Sequence, residues 1–111
     1  MELKIQKLDE RAKLPVRATP GSAGMDLHAL LDEPLTLAPG ERALVRTGIA
    51  IGLPSPETVG LVFARSGLAV KKGLALSNGV GVIDSDYTGE IKVGLVHLGA
   101  EPVTIQPGER I

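Results

Sequence analysis

Short apolar alternations, each about the length of one strand and each cut off by proline and glycine, dominate the chain. Leu3 and Ile5 open the alternation, Ala43, Val45, Ile49, Ile51 and Leu53 extend it, and Ile91, Val93 and Leu95 repeat it near the end. A period of two sends successive side chains to opposite faces, as half-buried strands require. Between these runs lie "ATPGSAG", "LAPGER", "GLPSPETVG", "KKGLALSNG" and "IQPGER". Their prolines set φ in turns, and their glycines reach conformations that other residues avoid. No segment shows a capped helical stripe. Short strands with this punctuation predict an all-β domain, a distorted jelly roll or β-barrel.

The 111 residues carry no composition shift that would mark a linker, so a single domain over residues 1–111 is expected. With one Phe, one Tyr and no Trp, the core must rest on Val, Leu, Ile and Ala, and a core of that kind invites burial against neighbouring subunits. The net charge of -1 is interspersed, which leaves no cationic field for duplex DNA, and the scarcity of aromatics removes stacking platforms for single strands. No nucleic-acid partner is expected. Cysteine is absent, so disulfides and thiolate metal sites are excluded. "MELKIQKLDERAKLP" has no continuous apolar segment, and no later stretch reaches a membrane-spanning length. No membrane partner and a cytoplasmic location are therefore expected.

"PGER" occurs twice, at Pro39–Arg42 and Pro107–Arg110. The first copy reads as a tight turn entering a strand. The second announces a strand of which only Ile111 follows.

Several stretches carry candidate chemistry. Arg65, Ser66 and Gly67 follow the apolar run "TVGLVFA"; they make either a surface turn or a guanidinium, hydroxyl and exposed backbone suited to phosphate oxygens. Lys71 and Lys72 read as solvated. Asp26, in "SAGMDLHA", is either a surface acid near a turn or part of a charged site, because an unpaired inward acid is costly. His28 and His97 have no partner at metal-ligand spacing and read as structural or surface residues. "SNGVGVIDSDYTGE", Ser77 to Glu90, holds more than chain reversal needs. Gly79 and Gly81 let backbone approach a planar ligand, so that strand-edge N–H and C=O groups can pair with a base. Asp84, at the tip of an expected hairpin, would accept from a sugar hydroxyl or an attacking water, and Tyr87 offers a flat face. Asp86 and Glu90 read as solvent-facing.

In this order and at these separations, "AGMDLHA", "RSGLA", "NGVGVIDSDYTGE" and "GERI" resemble the first four motifs of the trimeric dUTPase family, from about Ala23 to Ile111. The resemblance implies a distorted jelly roll, a homotrimer with shared active sites, and Mg²⁺-assisted hydrolysis of dUTP to dUMP and pyrophosphate. That activity limits uracil entry into DNA and supplies dUMP. The Mg²⁺ would be held mainly by triphosphate and water, with no direct protein ligand. Asn78 and the backbone of Val82, Ile83 and Asp84 would read uracil, Asp84 would also meet the 3′-hydroxyl and orient the catalytic water, and Tyr87 would lie against the deoxyribose. Lys92 would add a backbone contact. Arg65, Ser66 and Gly67 would hold the phosphates, Arg110 would approach their far end, and Asp26 would act through metal-bound water or neighbouring charges.

The family's fourth motif usually continues through Ala-Gln, and a Gly-rich fifth motif closes over the nucleotide. This C-terminal arm is missing from the 111 residues, which are expected to bind dUMP or dUTP weakly and to turn over poorly. Two rivals remain at this point. A dCTP deaminase shares the fold but typically carries a second Ser where Gly67 stands, and a non-catalytic jelly-roll nucleotide-binding or assembly module would need no closing arm.

Overall fold

A computed structural model describes residues 1–111. Nine strands follow one another: β1 (Lys4–Lys7), β2 (Leu35–Leu37), β3 (Arg42–Arg46), β4 (Ile49–Gly52), β5 (Gly60–Val62), β6 (Leu74–Leu76), β7 (Gly81–Ile83), β8 (Lys92–His97) and β9 (Val103–Ile105). They form four small sheets, β1-β4, β2-β9, β3-β8-β6 and β5-β7, and every pairing is antiparallel.

The alternation places Val93, Leu95 and His97 of β8 inward, where they are buried beside Val45, Leu74 and Ile105. His97 is structural: its Nδ1 accepts the Gly99 N–H at 3.2 Å and its Nε2 is hydrogen-bonded to the Glu101 carbonyl. A second cluster joins Ala12, Ile49 and Ile91. Both aromatic side chains stay outside the core, with Phe63 61% and Tyr87 47% exposed.

The run expected to alternate from Ala43 to Leu53 is instead broken at Thr47 and Gly48. β3 pairs with β8 as far as Arg46↔Lys92, and β4 then turns away to pair with β1. Gly48 makes the bend at φ +72°, and a Cβ there would lie 2.8 Å from both Ala12 Cβ and Leu30 Cδ2. Only glycine fits this close approach with a left-handed backbone. One short helical element also departs from the all-strand expectation. Gly67–Lys71 forms a π-helical turn anchored by buried Leu68, five residues long and so too short to show a stripe.

The two "PGER" copies build the same turn. Gly40 and Gly108 have φ of +86° and +78°, and each glutamate reaches back to the N–H of the residue before the proline. Glu41 Oε1 accepts from Ala38 at 2.6 Å and Glu109 Oε1 from Gln106 at 3.1 Å. The strand announced by the second copy begins as a bridge between Arg110 and His28. No helix is long and apolar enough to cross a membrane.

Candidate active site

β7 and β8, expected to be the two arms of a hairpin, do not pair. β8 already has β3 on one side and β6 on the other, while β7 pairs with β5. The connection Asp84–Ile91 is therefore a corner between sheets, and the strands diverge around a cleft of about 320 Å³. β6 reaches only Leu95–His97 of β8, which leaves the edge at Lys92 and Val93 open, and β7 has no strand on its second edge. Open strand edges carry unpaired N–H and C=O groups that a planar ligand with its own donors and acceptors can complete.

Asn78, Val82, Ile83, Tyr87 and Lys92, all predicted site residues, line this cleft. Gly79 supplies the turn into β7 at φ +74°, and a Cβ on Gly81 would press on Val62 Cβ at 3.2 Å. The two glycines thus serve a turn and a close strand approach. Asp84 is exposed just beyond β7 and does not line the cleft, and its carbonyl accepts the Tyr87 N–H at 3.1 Å. The Tyr87 hydroxyl donates to the Glu90 carbonyl at 2.8 Å.

A second group collects Asp26, Arg65 and Arg110, none of which lines the cleft. Arg110 Nη1 lies 3.0 Å from Asp26 Oδ2, and Arg65 Nε lies 3.7 Å from Asp26 Oδ1. One carboxylate here relieves the repulsion between two guanidiniums. Ser66 and Gly67 open the π-helical turn beside Arg65; both are exposed, the Ser66 hydroxyl caps nothing, and no atom lies within 4 Å of a Cβ built on Gly67. His28 adjoins this group. Burial first, then the cations Lys13, Arg110 and Arg65 against the opposing pull of Asp26, lower its pKa. Its Nδ1 is buried without a partner.

No three His, Asp or Glu side chains converge into a metal cage. A hard cation that travels with phosphates can be held mainly by those oxygens and water. Since both Asp26 oxygens are engaged by Arg110 and Arg65, the residues present fit a metal carried by the phosphates and not one held directly by side chains. A depression of about 650 Å³ between Lys71 and Val103 touches none of the predicted site residues.

The sequence reading missed Glu90. Its carboxylate faces not solvent but Arg46, at 3.0 Å, and the Gly48 N–H, at 3.0 Å. Burial, the largest single influence, raises the Glu90 pKa, but the Arg46 guanidinium and the Gly48 N–H together leave it lowered. The available signal was position: Glu90 precedes Ile91 at the point where the chain re-enters the core.

Residues 10–111 match the family model for dUTPase. The deoxyuridine 5'-triphosphate nucleotidohydrolase of Desulfitobacterium hafniense (strain DSM 10664 / DCB-2) is 56% identical over 103 residues, which is 93% of this chain and 68% of the relative. That of Aeromonas hydrophila subsp. hydrophila is 52% identical over 113 aligned positions, covering 100% of this chain and 74% of the relative. A mutant dUTPase from phage phi11 of S. aureus, described with a coordinated structural Mg(II) ion, shares the fold with a TM-score of 0.87 at 23% identity, over 100% of this chain and 86% of that one. The dUTPase of Staphylococcus bacteriophage 80alpha superposes with a TM-score of 0.83 at 23% identity, over 99% of this chain and 85% of that one. With a family model spanning nearly all of its length and relatives more than half identical to it, the chain belongs to the dUTPase family.

Proposed function

We infer that this chain hydrolyses dUTP to dUMP and pyrophosphate. Family membership supports the activity, and the cleft between the open edges of β7 and β8 is the observation that carries the reading of the site. Uracil offers a donor flanked by acceptors, which suits alternating backbone groups and the Asn78 amide. In this reading Val82, Ile83 and Lys92 contribute backbone, and Tyr87 closes the sugar end. Asp84, just outside, orients a water in line with the α-phosphorus and takes its proton as the new P–O bond forms and pyrophosphate leaves. Arg65, Ser66, Gly67 and Arg110 hold the triphosphate, with Asp26 keeping the guanidiniums in place. Mg²⁺ bound to the triphosphate and to water would supply charge neutralisation there. An ordinary carboxylate is a weak base, so alignment and charge stabilisation supply most of the acceleration.

The homotrimer belongs to the same proposal. Val59, Leu61, Phe63, Val80 and Val82 are all exposed. They alternate along β5 and β7 so as to share one outer face, with Leu61 opposite Val82. An apolar face of that size on so small a domain favours burial against another copy. A shared site also accommodates the separation of the cleft from the arginine group. We read residues 1–111 as one domain of a cytoplasmic enzyme.

The relatives are nucleotidohydrolases, which does not favour a dCTP deaminase or a non-catalytic module. Pyrophosphate release measured across dUTP, dCTP, dTTP and UTP, with ammonia followed in parallel, tests the reading. Pyrophosphate from dUTP alone is expected; ammonia from dCTP would overturn it.

A further inference from the structure

The segment that carries Tyr87 back to β8 has little backbone pairing of its own. Tyr87 N–H reaches Asp84 O at 3.1 Å and Ile91 N–H reaches Ile49 O at 2.9 Å, while Thr88, Gly89 and Glu90 between them make no backbone–backbone hydrogen bond. A side chain anchors the stretch instead. Arg46 Nε lies 3.2 and 3.0 Å from the two Glu90 carboxylate oxygens, and the Gly48 N–H donates to the second of them at 3.0 Å. The Glu90 side chain is only 14% exposed while that of Arg46 stays 48% exposed, so the pair is half-open to solvent and its worth lies in geometry, with the Arg46 Nε and the Gly48 N–H converging on one carboxylate. The Glu90 carbonyl, in turn, accepts the Tyr87 hydroxyl. Beside the ring sits Gly89, where a Cβ would come 2.7 Å from the hydroxyl oxygen and 2.9 Å from Cζ. Tyr87 is thus held between a glycine and a carbonyl whose own place is set by the carboxylate.

We propose that Glu90, gripped by Arg46 and the Gly48 N–H, is a positioning and specificity-determining residue that fixes the Tyr87 ring at the sugar end of the cleft and thereby the preference for deoxyribose over ribose. The proposal rests on the reading of Tyr87 as the sugar-facing side chain. Rejecting one extra hydroxyl requires a wall that does not yield, and a displacement of about 1 Å is enough to admit it. Glu90 also lines the cleft, yet its carboxylate is occupied and its lowered pKa keeps it charged at neutral pH, so it acts through Tyr87 and not on the nucleotide.

The test is the ratio of UMP to dUMP dissociation constants, measured by calorimetry on the full chain. Glu90→Ala should weaken dUMP several-fold and shrink the ratio about tenfold; Arg46→Met should act in the same direction, and Arg46→Lys, which keeps the charge but not the guanidinium geometry, should restore part of the discrimination. Tyr87 is the only tyrosine and there is no tryptophan, so intrinsic emission reports this one ring. Its acrylamide quenching should rise in Glu90→Ala and Arg46→Met while far-UV circular dichroism stays unchanged. Should Glu90→Ala fail to fold, Arg46→Met decides, since the Arg46 side chain is 48% exposed. A wild-type ratio and wild-type quenching in these variants, alongside a collapsed ratio in Tyr87→Ala, would overturn the proposal and leave the reading of Tyr87 standing. An unchanged ratio in Tyr87→Ala would overturn both.

Discussion

Arg110 donates to Asp26 at 3.0 Å across 84 positions of sequence, tying the second "PGER" turn to the segment that begins the charged group. Arg65 completes it from the other side of the same carboxylate. Partly exposed pairs of this kind contribute about 0–1 kcal/mol to stability, so Asp26→Asn should melt close to wild type. If these guanidiniums hold phosphate as proposed, losing the charge that spaces them should instead lower dUTP turnover by about tenfold or more. Thermal denaturation and steady-state kinetics separate the two effects. Unchanged turnover would reduce Asp26 to an ion-pair partner.

Asp84→Asn keeps size and hydrogen bonding but removes the carboxylate proposed as proton acceptor. Turnover should fall by about 10² or more, the usual scale for a general base. Affinity for dUMP should stay within a few-fold, because Asp84 stands outside the cleft lining. Single-turnover hydrolysis beside dUMP calorimetry checks both halves, and near-normal turnover would remove Asp84 from the mechanism.

Much of the fold was legible because alternation and turn chemistry are local. The inward residues of β8 and the turn at Pro39–Arg42 follow from neighbours a few positions away. Strand partnership is not local. Nothing between Gly81 and Lys92 announces that β3 and β6 already occupy the edges of β8, so a corner between sheets read as a hairpin. Glu90 failed for the same reason: Arg46, its partner, lies 44 positions earlier and is brought near by the β3–β8 register. The cleft-lining residues Asn78, Val82, Ile83, Tyr87 and Lys92 were legible through the motif, although the physical basis of the cleft, two diverging strands with open edges, required the structure.

The outer face of β5 and β7 gives association a specific test. Wild type should scatter light as three times the 11.5 kDa chain. Leu61→Glu places a charge amid that face, opposite Val82, and should shift the protein to smaller species. Leu61 is already 52% exposed, so the fold of each chain should change by no more than about 0.5 kcal/mol. A trimer that survives the substitution would place the interface on another surface.

Gly48 and Gly40 share a positive φ but differ in surroundings. No atom lies within 4 Å of a Cβ on Gly40, whereas a Cβ on Gly48 would meet Ala12 and Leu30 at 2.8 Å. Gly40→Ala should therefore cost about 1 kcal/mol from conformation alone. Gly48→Ala adds a steric clash and should cost about 2–4 kcal/mol, with the urea midpoint falling at constant slope. Equal costs would show that the bend at Gly48 relaxes freely.

The pH dependence of stability should show two steps with the same sign. The His28 pKa is lowered from its ordinary 6.5, chiefly by burial and then by Lys13, so the unfolded chain binds this proton more readily than the folded one. Stability from this group is complete above 6.5 and is lost as pH falls from there through the folded pKa. The Glu90 pKa is lowered as well: burial opposes the shift, but the Arg46 and Gly48 hydrogen bonds outweigh it. Its contribution is complete above the ordinary 4.5 and is lost at lower pH, as protonation releases Arg46. Urea denaturation from pH 8 to pH 3, on the order of one curve per half unit, should resolve a mild weakening below neutrality and a second in acid. His28→Asn should flatten the first step and leave the second, while Glu90→Gln should do the reverse. A first step that persists in His28→Asn would assign it to another group and leave the orphaned Nδ1 without a role in stability.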